Sequence, residues 1–428
     1  MKLKKVTIKN FRGFIDETFE LNQMTGLIGK NDVGKSTILE ALDIFFNAEN
    51  KNGIVTPEVS DLRIDCSEES SFSISCYFEI SPNEYTLLDS SNQTNLKEEH
   101  LLNNEGLLEI VKIWDCSKAS ITAKSLSIYI NAKIPYLGDK QFLTMKIAEL
   151  RKELEAIKTE INNYEEINKS LKAEIRKALY KYYTTDIEEY EKLIEIKALE
   201  TDNTDLWKSI SKNLPLYFLF QSDRINSDSD NEVQNPLKFA AKKAIADKQA
   251  EIEAIEKYVI EEVSKVGNDT VNKLEEFDSS IAKGLLTKHK TKPWENIFSF
   301  EITDDKEIPL NKRGSGVRRL ILLSYFRAEA EKALKEDYSR NIIYAIEEPE
   351  TAQHPDFQLM ILESLEKICE DNDNQVIFTT HTPELAKMLV PESLILIIKT
   401  QEGNPIVEKN TNKKIEKIID SLGILPSI

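Results

Sequence analysis

Positive charge is in deficit in this 428-residue chain, where 56 Lys and Arg face 74 Asp and Glu for a formal net charge of −18. That argues against a uniformly basic nucleic-acid surface, because phosphate binding needs clustered Lys and Arg, although it leaves room for a local groove. An acidic balance favours solubility or a basic protein partner. Cysteine is also scarce. Cys66, Cys76, Cys116 and Cys369 are scattered with no C-x-x-C pair, which suggests neither a zinc site nor a disulfide framework. No apolar run reaches membrane-spanning length, and the opening "MKLKKVTIKNF" reads as a strand rather than a leader peptide. A soluble cytoplasmic protein with no membrane partner is expected. The length allows two or three domains, each with its own core.

What is present begins with "GKNDVGKST", residues 29 to 37, which fits G-x-x-x-x-G-K-[ST] with Gly29, Gly34, Lys35 and Ser36 in the fixed places. The apolar "MTGLIG" before it predicts a strand, and "KSTILEALDIFF" after it predicts a helix. Backbone N–H groups freed by the turn, together with the positive end of that helix, can surround phosphate oxygens. Lys35 would reach the β and γ phosphates of ATP, and the Ser36 hydroxyl would face Mg2+.

Three later stretches carry chemistry. "IIYAIEEPETAQHP" is a buried strand ending in two carboxylates, and α/β folds bind ligands at the carboxyl ends of their strands. Glu347 can hold magnesium, usually through water, and Glu348 can orient or deprotonate an attacking water. "VIFTTHTPELA" places His381 after another strand, where it can contact the γ-phosphate or the water, or simply cap the next helix. The chain has only four histidines. "RGSGVRRLILLSYF" sets Gly314, Ser315 and Gly316 at a predicted helix N-terminus, a second anion cradle. One nucleotide needs one cradle, so the second implies a dimer of heads.

The period of the sequence divides the chain. "SFSISCYFEI" and "SLSIYINAKI" alternate strictly, with "LLEIVKIW" between them, and predict an antiparallel meander. From 143 to 182 the apolar residues keep one heptad register, with Ile147, Leu154, Ile161, Asn168, Ile175 and Tyr182 at a, which predicts a coiled-coil arm with Asn168 fixing register. A second helical stretch, about 237 to 283, carries Ile245, Ile252, Val259 and Val266 seven apart and could return antiparallel. "NLPLYFLFQSDR" between them reads as a strand and loop. The charged faces of these helices are ordinarily solvated. "IIYAI", "VIF" and "LILII" are unbroken apolar runs, as in parallel strands covered on both faces. The expected divisions are 1–139 and 291–428 as two halves of one head, with a helical insertion at 140–290.

Together, "IKNFRGF", "GKNDVGKST", "RGSGVRRL", "IEEPETAQHP" and "FTTHTPELA" resemble the ABC-type ATPase heads of the SMC and RecF group. The nearest resemblance is to the OLD (overcoming lysogenization defect) nuclease-like ATPases, and it covers about half to two-thirds of the chain. It implies an α/β P-loop head with a mixed sheet and an antiparallel β-subdomain. Under it, Gly29, Lys30, Asn31, Asp32, Val33, Gly34, Lys35, Ser36 and Thr37 form Walker A, and Ser315 and Gly316 belong to the signature. Glu347 and Glu348 form Walker B, His381 is the switch histidine, and Arg12 matches a position that can contact nucleotide. The signature departs from LSGGQ, Walker B begins with Glu in place of the commoner Asp, and Asp61 is a weak candidate for the Q-loop glutamine. "IDSLGILPSI" resembles the junction before a Toprim nuclease domain, so either the nuclease lies in a longer chain or it is a separate protein.

Anti-phage systems that resemble this one, such as PARIS and Septu, pair the ATPase with a Toprim or an HNH nuclease effector. The resemblance thus implies a Mg-ATP switch, dimeric or higher, that controls a nuclease in response to a phage-derived trigger or DNA. A constitutive ATP-bound scaffold and an SMC/RecF-like DNA-repair ATPase are the competing expectations.

Overall fold

Burial alternates along several strands of one sheet of this protein and is unbroken in central strands of the other. The structure is a computed structural model that describes residues 1–50, 53–65, 69–80, 86–89, 92–135, 142–143, 145–161, 163–183, 189–196, 205–221, 248–277, 324, 341–349, 355–370, 374–382, 386, 389–408 and 418. They belong to two units, Met1–Ser222 with Arg327–Ile428, and Asp223–Phe326. The first unit opens with β1 (Lys2–Phe11), β2 (Phe14–Glu20), β3 (Met24–Ile28), α1 (Lys35–Asn47), β4 (Ser71–Glu79), β5 (Thr86–Asp89) and β6 (Asn92–Thr94). It continues through β7 (Leu108–Asp115), β8 (Leu126–Pro135), α2 (Ile147–Ala156), α3 (Lys172–Tyr183), β9 (Glu189–Glu195), α4 (Asp205–Asn213) and β10 (Leu216–Phe220). The second unit holds α5 (Gln249–Phe277). The chain then returns to the first with β11 (Ile342–Ile346), α6 (Pro355–Glu370), β12 (Gln375–Thr380), β13 (Leu394–Lys399) and β14 (Pro405–Val407).

The expected meander is present and longer than its sequence pattern showed. Its order is β2-β1-β4-β7-β8-β9, antiparallel throughout. Phe72, Ile74, Cys76 and Phe78 of β4 are buried at every second position, and the Phe72 ring stacks on Trp114 with centroids 5.1 Å apart. The other sheet runs β10-β11-β12-β3-β13-β14. Its first five strands are parallel and β14 is antiparallel. β11 and β12 are buried along their whole length, as strands covered on both faces must be. α1 lies against β10, where Tyr217 donates its hydroxyl proton to the Leu39 carbonyl at 2.7 Å and Asn47 donates to the Tyr217 carbonyl at 3.1 Å. This is the mixed sheet and antiparallel subdomain expected of a P-loop head.

The long heptad helix is not formed. Between α2 and α3 the chain turns through Asn163, whose φ of 71° ends any helix, and through a short 3-10 segment, Tyr164–Glu166. The apolar heptad positions are used locally: Leu150, Leu154, Ile157, Tyr164 and Ile175 bury one another in a single cluster with Phe142 and Leu179. Asn168 fixes a turn rather than a register, its side-chain oxygen accepting from the Ser170 amide at 3.0 Å. In the second unit, α5 carries Ile252, Val259 and Val266 on 29 helical residues, with Val259 and Val266 exposed. Ile245 and the rest of the expected 237–283 stretch lie outside the described residues. Among the described residues, no helix is long and apolar enough to cross a membrane.

One buried ion pair docks α3 onto the segment after β6. The Arg176 guanidinium grips the Glu99 carboxylate through two bonds of 2.8 and 2.9 Å, and both side chains are almost wholly buried, at 1% and 2% exposed. Removing one partner strands a charge in a dry site. Arg176→Ala is therefore expected to lower the unfolding free energy by about 3–5 kcal/mol, read by urea titration of tryptophan fluorescence. An unchanged midpoint would show that the pair is not what docks this helix.

Candidate functional site

Five parallel strands in register put their carboxyl ends on one rim of the mixed sheet, and all but β3, which runs into Gly29, are followed directly by a polar residue. β3 and β12 pair from Met24↔Val376 to Ile28↔Thr380, so Gly29 and His381 lie one step beyond neighbouring strands. β11 pairs with β12 through Ile346↔Phe378 and with β10 through Phe220↔Ile346, which brings Glu347, Glu348 and Gln221 to the same edge. The Glu347 amide donates to the Phe220 carbonyl at 2.7 Å, closing the β10 and β11 ends together.

The turn after β3 is shaped by its glycines. Gly34 has φ 99° as the cap residue of α1, and an added Cβ would meet the Phe14 ring at 3.1 Å. A Cβ on Gly29 would stand 2.5 Å from the Ile397 carbonyl oxygen and 2.8 Å from Val33 Cγ2. Only glycine lets the backbone come this close. No acidic residue occupies the first turn of α1, so the positive end of the helix dipole is open to an anion. Lys35 is buried at 5% exposed, its ammonium donating to the carbonyls of Gly29 at 2.7 Å and Lys30 at 2.8 Å. Lys30, Asn31 and Asp32 form the exposed tip, Val33 is buried beneath it, and Thr37 is half-buried. Asp32, at φ 59°, pairs with Lys399 from the end of β13 at 3.1 Å.

Opposite the loop, the two acids after β11 each meet a side chain from another segment. Ser36 donates its hydroxyl proton to Glu347 Oε1 across 311 residues of sequence. Hard oxygen donors converging in this way suit magnesium, which takes one or two carboxylates and completes its shell with phosphates and water. Among the described residues no group of three or more His, Cys, Asp or Glu forms an all-protein metal cage. Glu348 sits at φ 42°, a left-handed conformation costing a non-glycine residue about 1–3 kcal/mol. Its amide donates to Thr379 Oγ1 at 3.0 Å, and its carboxylate faces His381 Nδ1 at 3.3 Å. The histidine ring is 42% exposed. A carboxylate held by a histidine at a strand end can take a proton from a water placed between it and a phosphate.

Arg12 lies at the turn between β1 and β2, also left-handed, at φ 48°. Its guanidinium donates through Nε to Asp61 Oδ1 at 2.8 Å and through Nη1 to Glu40 on α1. Burial pulls its pKa down, but hydrogen bonds and charge from Asp61 and Glu40 outweigh that and raise it. Asp61, weighed as a Q-loop substitute, is buried at the side of Arg12. The glutamine on the rim of the strand ends is Gln221, missed in the sequence although "FLFQ" obeys the rule that exposed Glu347 and His381: a polar residue directly after a buried strand. Ser315 and Gly316 lie outside the described residues.

Residues 1–386 match the family model of the AAA ATPase domain, AAA_15, and the chain belongs to that family. No curated protein matches it. Two solved structures are similar: an SmcHead crystallised with the C-winged helix domain of ScpA, and the SMC head domain from Thermotoga maritima. The first is 12% identical with a TM-score of 0.41, covering 97% of this chain and 100% of that one. The second is 12% identical with a TM-score of 0.35, covering 95% and 98%.

Gly34→Ala should place a Cβ against Phe14 in a backbone region closed to L-residues, at a cost of about 1–3 kcal/mol. Titration with a fluorescent ATP analogue is expected to show at least ~10-fold weaker binding, a difference of about 1.4 kcal/mol. Unaltered affinity would mean that this turn does not cradle the phosphates.

Proposed function

We propose that this chain is an ATP-hydrolysing switch whose heads pair around Mg-ATP and pass the resulting change to a nuclease effector. The observation that carries the hydrolytic part is the meeting of Ser36 with Glu347, and of Glu348 with His381, beside a glycine-shaped loop and a helix N-terminus. Lys35 would leave the Gly29 and Lys30 carbonyls for the β and γ phosphate oxygens, a modest rotation of a side chain already folded over the loop. Glu347 and Ser36 would hold magnesium, which when bound neutralises phosphate charge. Glu348 would accept a proton from the attacking water as its oxygen bonds to the γ-phosphorus and the bond to the β-bridging oxygen breaks, releasing ADP and phosphate. His381 would keep Glu348 in place and face the γ-phosphate.

The dimeric part rests on sequence. "RGSGVRR" offers Ser315 and Gly316 as a second cradle, which a nucleotide already held by residues 29–37 of its own head does not need, so a neighbouring copy is proposed to use it. ATP would then favour the closed pair in proportion to its greater affinity for that state. Control of a Toprim or HNH nuclease, and a phage-derived trigger, are proposed from the motif resemblance.

Lys35→Ala is expected to abolish binding of ATP. Glu348→Gln should keep binding, lower turnover by about 10²–10⁴, the usual contribution of a general base, and accumulate as an ATP-bound dimer in sedimentation velocity. Turnover at the wild-type rate in Glu348→Gln would remove that residue from the chemistry.

A further inference from the structure

Residues four apart on a helix share a face, so Glu40 stands one turn beyond Ser36 on α1, about 6 Å along the axis. Ser36 meets Glu347 at the end of β11. On the same face Glu40 meets two donors at once: Oε2 accepts from Arg12 Nη1, and Oε1 accepts from Gln221 Nε2 at 2.9 Å. The carboxylate is only 18% exposed and Gln221 only 9%, so these bonds are largely shielded from water. Gln221 follows Phe220, whose carbonyl holds the Glu347 amide. A ring of contacts thus runs from Ser36 to Glu347, across the strand ends to Gln221, on to Glu40, and back along α1.

The electrostatics make this position unexpected for an ordinary surface glutamate. A carboxylate near the phosphate end of α1 opposes a polyanionic ligand, and at mid-helix it gains nothing from the dipole. Its charge is instead matched by Arg12, which it shares with Asp61. The two donors come from distant parts of the chain, the turn after β1 and the end of β10. A single side chain therefore joins the guanidinium to the amide.

We propose that Glu40 is a positioning residue for hydrolysis, holding Gln221 on one carboxylate oxygen and Arg12 on the other at the rim of the phosphate site. It acts without touching the nucleotide. Replacing it removes this bond from the Gln221 amide and leaves Arg12 with Asp61, so these two rim groups lose alignment while the glycine loop and Lys35 keep their grip. The proposal rests on the ATPase reading above.

The test is a double-mutant cycle in the full chain with Glu40→Ala, Gln221→Ala and both together. It reads melting temperature, the Kd of a fluorescent ATP analogue with magnesium, and kcat and KM for ATP. Expected are melting temperatures close to wild type, Kd within about 3-fold, and kcat at least ~10-fold lower for Glu40→Ala. The double variant should fall no further than the worse single one, because both remove the same contact. Losses that multiply, an unchanged kcat, or a Kd that weakens in step with the melting temperature would each overturn the role given to Glu40. Absence of turnover in wild type would instead overturn the ATPase reading itself, and Lys35→Ala, run alongside, separates that outcome from inactive protein.

Discussion

The pairing of β3 with β12 is the constraint on which the site depends. Met24 to Ile28 lie beside Val376 to Thr380, joining segments some 350 residues apart in a ladder with no solvent-facing edge. The contact of Ser36 with Glu347 follows from it. The glycine turn can face Glu347 and His381 only because its strand is inserted between β12 and β13. Gln375 reinforces the seam: its side chain accepts from the Leu3 amide and donates to the Leu3 carbonyl, each at 2.8 Å, and is fully buried. Gln375 is thereby one of the side chains that fasten the antiparallel sheet, at β1, to the mixed sheet.

Local energies on the rim are adverse and are held by that framework. Glu348, Arg12 and Asp32 all adopt left-handed backbone, and each is tied by a partner: Glu348 by Thr379 and His381, Arg12 by Glu40 and Asp61, Asp32 by Lys399. Strain of this kind persists where the surroundings over-determine the geometry, and it collects at functional sites. Lys35 is similar: its buried ammonium donates to two carbonyls, which in the proposed function it exchanges for phosphate oxygens, stronger because charged.

Where the sequence was read through local physics, it was legible. Residues 342–346, read as a buried strand, are β11, and the alternation from Ser71 delimits β4 to within a residue. Ser36, Glu347, Glu348 and His381 could be singled out because motif spacing and strand ends are local signals. The heptad register from 143 to 182 misled because a period of seven records only which residues are apolar. Leu150, Tyr164 and Ile175 bury one another across a turn, and an apolar stripe does not reveal whether its partner is another helix or the same chain folded back. Glu40 was illegible for a related reason. It looks like a polar residue on an amphipathic helix, and only the meeting of three distant segments shows what it holds.

The proposed function requires both ends of the polypeptide to close on a single triphosphate. Hydrogen exchange with and without Mg-ATP measures this directly. Protection is predicted to arise together in residues 29–37 and in the segments bearing Glu347, Glu348 and His381, and to vanish from both in Lys35→Ala. Protection confined to residues 29–37 would contradict it.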